Sequence, residues 1–277
     1  MYKISIILLI AVSSKLAGQP PKVINDTLIY QCKFQYSWVK DTANRSNKLQ
    51  DQMCLEIYAK GHTTYFSILK QNGLKKQEED IGRQVSLDDI AKNASSYNTN
   101  SESEIILTDY KMASYKLLDK LASSSYYYTS PVESLNWQIE SDTMTILGFI
   151  CQKATCIYSG RNFIAWFARG VPLPYGPYKF SGLPGLILKI YDNKNDFVFE
   201  CNSLSTKSLL VDMPYYESYK SIKKINRTDL YKLKKLFFEN YPAFLMAEKG
   251  VTFTPNNPNG YQKSKSKNYN MIELNVK

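Results

Sequence analysis

"LIYQCKFQYSWVK", Leu28 to Lys40, alternates without a break: Tyr30, Cys32, Phe34, Tyr36 and Trp38 fall on one side, and Gln31, Lys33, Gln35 and Ser37 on the other. A period of two places successive side chains on opposite faces of an extended chain, so this is a half-buried strand with an aromatic inner face. Outward from it, "QMCLEIYAKGHTTYFSILK" (Gln52–Lys70) continues as a hairpin turning at Lys60-Gly61-His62, with Leu55, Ile57 and Ala59 on one face. Further on, "NWQIESDTMTILGFICQKATCIYSGRNFIAWFA" (Asn136–Ala168) reads as successive strands with turns near Ser141-Asp142 and at Ser159-Gly160. "LILKIYDNKNDFVFECNS" (Leu186–Ser203) gives two more strands joined across Asp192–Asp196, with Phe197, Phe199 and Cys201 on one side.

Other segments are less regular. Gln71 to about Ser103 is a polar excursion, with a short helix expected near Ser86–Lys92. Tyr110–Trp137 is ambiguous: Ala113, Leu117, Leu118 and Leu121 have helical spacing, whereas Tyr126–Thr129 favour a strand. "NRTDLYKLKKLFFENY" (Asn226–Tyr241) is the clearest helix, with Thr228 as its expected N-cap. Leu230, Leu233, Leu236, Phe237 and Tyr241 form its apolar stripe, and its basic opposite face is expected in water. The tail, residues 252–277, is rich in Asn, Pro and Lys and reads as extended. The pattern predicts a mainly β fold of the α+β class: a curved antiparallel sheet or open half-barrel, with a C-terminal helix covering the concave face.

The first 18 residues, "MYKISIILLIAVSSKLAG", read as a secretory signal: Lys3, an apolar run from Ile4 to Val12, then small residues at Ala17-Gly18. Residues 19–277 are expected to form one β-rich domain. The full chain carries a net charge of +10, concentrated late in residues such as Lys223, Lys224, Arg227, Lys232, Lys234 and Lys235. Such a face can attract anionic lipid, but it is more often simply solvated. Export removes nucleic acid from the candidate partners, and membrane contact is at most peripheral. Cys32, Cys54, Cys151, Cys156 and Cys201 make an odd set with no metal-binding spacing. Their default reading is small buried hydrophobe, and no pairing follows from the spacing.

Catalytic chemistry finds little support. The chain holds a single histidine, His62, beside an expected turn. No spacing marks a metal site or a phosphate loop, so no cofactor and no metal is expected. Carboxylate catalysis would have to draw on Asp109, Glu140, Asp142 or Asp192, and their convergence cannot be read from a sequence.

The stretch "YGPYKFSGLPGLILKI" (Tyr175–Ile190) instead concentrates backbone-special residues. Pro172 and Pro177 fix φ, while Gly176, Gly182 and Gly185 admit close approaches and left-handed turns. Two accounts remain open: a rigid rim at the mouth of a cavity, or an awkward connector welded into the core. The aromatic face of Tyr30, Phe34, Tyr36 and Trp38 likewise either walls an apolar pocket or is packed by the protein's own helix. Arg161, in the hairpin after Gly160, is either an anchor for a carboxylate or headgroup or a solvated hairpin charge.

"GLPGLI", Gly182–Ile187, resembles the signature of the GLPGLI family of exported Bacteroidota proteins. The likeness extends to "LNWQI" (Leu135–Ile139), "ILGFICQKAT" (Ile146–Thr155), "SGRNFIAWFA" (Ser159–Ala168), "VPLPYGPYKFSGLPGLIL" (Val171–Leu188) and "NYNMIEL" (Asn268–Leu274). The sequence departs from the pattern at Ala168–Val171, where the family usually has Thr and an acidic residue before Ile-Pro. The resemblance implies a signal peptide, a periplasm-facing location in a Gram-negative envelope and no established activity. A more distant, fold-level similarity is to LolA-like open barrels, which hold acyl chains. The leading expectation is thus a non-enzymatic exported protein that binds an apolar or lipid-like ligand, or an envelope protein partner. Tyr30, Phe34, Tyr36, Trp38, Arg161 and Trp166 would bind, framed by Pro172, Gly176, Pro177, Phe180, Gly182, Leu183, Pro184, Gly185, Leu186 and Ile187. The alternatives are a solid-cored structural or assembly protein and a hydrolase using carboxylates or His62.

Overall fold

The computed structural model describes residues 25–83, 89, 101–212, 222–249 and 268–275. The segment expected as a signal, and most of the helix expected at Ser86–Lys92, lie outside the described residues. The strands are β1 (Asn25–Val39), β2 (Lys48–Tyr58), β3 (His62–Ser67), β4 (Ile105–Asp109), β5 (Ser114–Leu121), β6 (Ser124–Pro131), β7 (Gln138–Ile146), β8 (Phe149–Tyr158), β9 (Arg161–Ala168), β10 (Leu186–Asp192), β11 (Phe197–Asp212) and β12 (Ile222–Lys224). The helices are α1 (Ile68–Gly82), α2 (Arg227–Glu239) and α3 (Tyr241–Lys249). All the strands join one 12-stranded sheet, ordered β12-β6-β5-β4-β3-β2-β1-β11-β10-β9-β8-β7. Neighbours are antiparallel except β12, which adds to β6 in parallel and makes the sheet mixed.

β1 sits near the middle, paired with β11 on one side and β2 on the other. Its burial alternates as the opening stretch predicts, with Cys32, Phe34, Tyr36 and Trp38 buried and Lys33 exposed. Register shifts interrupt β1 near Leu28–Tyr30, β11 opposite Lys33–Phe34, β10 at Ile187–Lys189 and β7 at Ile139–Thr143. Each such bulge bends its strand and increases the twist, curving the open sheet around its aromatic face. The main core lies in that curve. Strand residues such as Phe34, Tyr36, Leu117, Phe163 and Phe199 pack there with Phe180 of the connector, Leu230 and Tyr231 of α2 and Phe244 of α3. The expected helical cover is therefore present, supplied by two consecutive helices.

Several local readings change. Tyr110–Trp137 forms β5 and β6: cross-strand pairing of Leu117 with Tyr128 and Leu118 with Tyr127 overrides the helical spacing of the leucines. Ser141-Asp142 is part of the β7 bulge. The hairpin turn instead falls at Leu147-Gly148, with φ of 50° and 81°, matching the pair at Ser159-Gly160 with 47° and 84°. The polar excursion begins as helix α1, capped by Ser67, whose hydroxyl accepts from Lys70 N at 3.0 Å. That helix buries only Gly73, so it leaves no amphipathic stripe to read. α2 is capped by Asn226 rather than Thr228: the Asn226 side chain accepts from Asp229 N at 2.8 Å. Tyr241 starts α3 instead of closing the α2 stripe. Lys234, placed by the sequence on a wet face, is buried.

Candidate functional site

The connector between β9 and β10 lies on the concave face, welded to it by backbone contacts. A Cβ on Gly185 would sit 2.3 Å from Ala168 O, and one on Gly176 would sit 2.9 Å from both Phe180 O and Ile187 Cβ. These glycines are required by close approach, not by flexibility. Gly182 donates to Pro174 O at 2.9 Å and Ile187 to Tyr175 O at 2.9 Å, while Trp137 Nε1 donates to Ser181 O at 2.9 Å. Phe180 packs against the rings of Phe163 and Tyr158, with centroids at 4.7 and 5.2 Å. Gly176, Pro177, Leu183, Leu186 and Ile187 are buried, and only Pro172, Gly182 and Pro184 of the predicted rim reach solvent.

This packing presents Tyr178, itself at φ 58°, and Lys179 to a buried cluster. Its centre is Glu273, fully buried, on the segment Asn268–Asn275 that crosses the concave side. Glu273 Oε1 accepts from Tyr178 at 2.6 Å, from Tyr158 at 2.9 Å and from the Lys179 ammonium. Its Oε2 accepts from Arg227 Nη2 at 2.5 Å and Nε at 3.2 Å. Arg227 also reaches Glu133 at 2.7 Å. Burial alone would raise the Glu273 pKa, but Lys179 and Arg227 outweigh it and hold the carboxyl well below the usual range. Lys179 is subject to the converse balance: burial lowers it, and Tyr231 and Glu273 raise it further than burial lowers it. A lysine held charged by a satisfied carboxylate is no general base, and the arrangement works as an electrostatic lock.

Two further clusters flank the lock. Arg161 is buried rather than solvated, donating to Asn270 Oδ1 at 2.5 Å and Met271 O at 2.7 Å, beside Asp192 at 3.4 Å and Asp196 at 3.6 Å. The carboxylates it meets belong to the β10–β11 turn of its own chain. Lys234 of α2 lies 2.6 Å from Glu104, 3.4 Å from Asp119 and 3.7 Å from Glu102. Burial raises Glu102 to about 7, against the opposing pull of Lys234.

Between these clusters lies a cavity of about 40 Å3 on the predicted aromatic wall, bordered by Tyr36, Trp38, Tyr65, Phe199, Glu102 and Tyr269. The wall rings are stacked on each other: Tyr36 on Trp38 at 4.6 Å and on Phe199 at 4.4 Å, within 9° of parallel. The Tyr65 hydroxyl, at this cavity, has no hydrogen-bond partner among the described residues. Phe34 is buried elsewhere in the core, and Tyr30 is half-buried outside the cavity. Trp166 alternates with the buried Phe163, Ala165 and Phe167, so it lies on the other face of the sheet, half-buried, with cross-strand neighbours Lys153 and Lys189.

The candidate catalytic groups are engaged and dispersed. His62 Nδ1 contacts Asp26 at 2.8 Å, and Nε2 lies 3.5 Å from Asp109, at the far side of the β2–β3 hairpin. Glu140 and Asp142 pair with Lys153 on the exposed β7 edge. Asp192 accepts from Phe197 N at 2.9 Å and faces Arg161. All five cysteines are buried free thiols. Burial pushes Cys151 and Cys201 up to about 11 and Cys156 to about 12, far from thiolate character. Sequence reasoning missed Lys179, Glu273, Asn270 and Lys234. Glu273 did leave a signal: it is an isolated acid in the apolar "MIEL", inside a motif already quoted.

Residues 160–189 match the family model described as "Protein of unknown function (Porph_ging)". No curated protein matches the chain. Among solved structures it is similar to PNGF-II, in its P21 and C2 crystal forms, with a TM-score of 0.50 at 15% identity, covering 74% of this chain and 32% of that one. The chain thus spans about a third of that protein's length, and the likeness is one of fold alone. A LolA superfamily protein, NE2245 from Nitrosomonas europaea, superposes with a TM-score of only 0.28 at 8% identity, over 66% of this chain and 87% of that one. The resemblance read from Gly182–Ile187 is thus shown at residues 160–189, where the chain carries the signature of the Porph_ging, GLPGLI-type family.

Proposed function

We propose that the chain is an exported, non-enzymatic protein of the Gram-negative cell envelope that acts through its outer surface on an envelope partner, its half-barrel closed by its own chain. The observation that carries this reading is the cavity behind the aromatic wall: about 40 Å3, room for water and little else. Pockets that enclose small organic ligands run to roughly 300–1,000 Å3. The wall residues are already satisfied by stacking on each other and by the covering connector, α2 and the 268–275 segment. The family match supports the envelope assignment, and no helix among the described residues is long and apolar enough to cross a membrane.

A second reading, a lipid-like ligand admitted when the covering segment lifts, is favoured by the unpartnered Tyr65 hydroxyl at the aromatic wall of the cavity, which a polar group of such a ligand would satisfy. One experiment separates the two. Protein purified from native envelopes under mild conditions is extracted and analysed by mass spectrometry, while a parallel sample is cross-linked in intact cells. The proposal expects no stoichiometric lipid and a reproducible cross-linked protein partner. One lipid per chain, recovered repeatedly, would overturn it in favour of the second reading.

A further inference from the structure

The segment Asn268–Asn275 is held as a bound peptide is held. Its backbone makes one isolated β-bridge, Tyr269 with Asp41, in which Thr42 N donates to Asn268 O at 3.2 Å and Asn270 N to Lys40 O at 2.9 Å, and it meets the β8–β9 turn, where Leu274 N and Asn275 N donate to Ser159 O at 3.0 and 3.3 Å. Everything else is side-chain recognition from separate elements. The Tyr269 ring stacks on Phe238 of α2 at 4.3 Å, and its N–H donates to Glu239 at 3.0 Å. The Asn270 amide is read at both ends, donating to Val39 O at 3.0 Å and accepting from Arg161 at 2.5 Å. Glu273 is enclosed by Lys179, Arg227 and two tyrosines, as described above. These contacts select an aromatic ring, an asparagine and a glutamate at fixed spacing, met here by Tyr269, Asn270 and Glu273.

We propose that this groove, bounded by the end of β1, the β8–β9 turn and α2, is a peptide-recognition site. The chain's own C-terminal segment occupies it in cis, and the same segment of a second copy fits it in trans. The second copy is the committed partner because each of the three selective contacts is met by the sequence Asn268–Asn275 itself. Tethering gives the cis segment a high effective concentration, so the trans mode emerges when the chains are concentrated during folding, or when a separate native segment is offered to a chain whose own segment is weakened. The inference goes beyond the proposed envelope role and stands whichever surface that role uses.

The test uses the full chain and a fluorescein-labelled peptide of residues 268–275, read by fluorescence polarisation. A Tyr269→Ala/Asn270→Ala chain keeps Glu273 and its lock while losing two recognition contacts. It is expected to bind the labelled peptide at least about tenfold more tightly than the wild-type chain does. On that variant, a peptide carrying Glu273→Gln is expected to bind at least about tenfold more weakly than the native peptide, as loss of a charge-assisted contact predicts. If the double variant does not fold, Asn270→Ala alone serves with the same readouts. A folded variant that binds no better than wild type, or binds both peptides equally, overturns the site. Light scattering on wild-type chain refolded at high concentration is expected to show a dimer that the double variant lacks. Monomer at every concentration overturns the second-copy partner.

Discussion

Replacing Glu273 by alanine tests the electrostatic lock most directly. The carboxylate accepts from Lys179, Arg227, Tyr158 and Tyr178. Truncation would leave the Lys179 ammonium, 5% exposed, without a counter-charge. Removing one partner of a buried pair costs about 3–5 kcal/mol, because the remaining charge stays desolvated. Two features pull the estimate to the low end. Arg227 retains Glu133, and Lys179 retains the Tyr128 hydroxyl at 3.0 Å and the faces of Tyr178 and Tyr115 at 4.8 and 5.0 Å. A loss of about 3 kcal/mol corresponds to a Tm fall of roughly 6–12 °C for a chain of this size, measurable by calorimetry. A Lys179→Met/Glu273→Leu double variant, which leaves no orphaned ammonium, is expected to recover most of the loss. The pH dependence has a definite sign. Glu273 is depressed in the folded state, so its contribution is complete above the unfolded carboxylate pKa of about 4.3 and is lost as pH falls below it. The alanine chain should therefore lose its deficit in strong acid. A fall of less than 2 °C at neutral pH, or a deficit that persists unchanged in acid, would refute the lock.

Glu102 carries the opposite sign: its folded pKa is raised by burial to about 7, so the stability it contributes is present below about pH 4.3 and is lost as pH rises to 7. Glu102→Gln should flatten that decline, and melting curves at pH 5 and 8 for both chains would show it. Gly185→Ala drives a Cβ to 2.3 Å from Ala168 O, a backbone atom that cannot swing away, and should cost about 3 kcal/mol or more in denaturant titrations. Gly148→Ala meets open space at φ 81° and should cost only about 1–2 kcal/mol. The five thiols should stay silent to a thiol reagent in the native state and all react on unfolding; rapid native labelling of any one would contradict their burial.

The strands were legible because a period of two survives wherever one face is buried, as in Tyr30–Trp38. The β5–β6 pair escaped because Leu117, Leu118 and Leu121 satisfy helical spacing as well, and cross-strand pairing that decides the matter is not local. α1 escaped for the converse reason: a helix burying only a glycine has no stripe to detect. Sequence alone places Lys234 in water because a charge on a helix face normally is solvated, and its counter-charges Glu104 and Asp119 come from sequence more than a hundred residues earlier. Arg161, which the sequence offers either as an anchor for a ligand carboxylate or headgroup or as a solvated hairpin charge, is buried against Asp192 and Asp196 of its own chain. No residue pattern announces that Asp192, Asp196 and Asn270 will converge on it.

The covering elements explain why so much glycine and proline accompanies so little chemistry. A half-barrel open on one side would leave Tyr36, Trp38 and Phe199 in water, so the chain lays the connector, α2 and Asn268–Asn275 across them. Each cover brings something it cannot satisfy alone. The connector brings Lys179, α2 brings Arg227 and Lys234, and the 268–275 segment brings Glu273 and Asn270. The close approaches of Gly176 to Ile187 and of Gly185 to Ala168 seat against β9 and β10 the connector that carries Lys179 to Glu273. Lifting any one cover therefore leaves buried charge on another, which adds an electrostatic coupling to the apolar core they share. Unfolding should then be a single transition in which near-ultraviolet signal from the aromatic wall and far-ultraviolet signal from the sheet are lost together. An early, separate loss of the wall signal would mean that the covers are independent lids, and the coupling by shared counter-charges would be wrong.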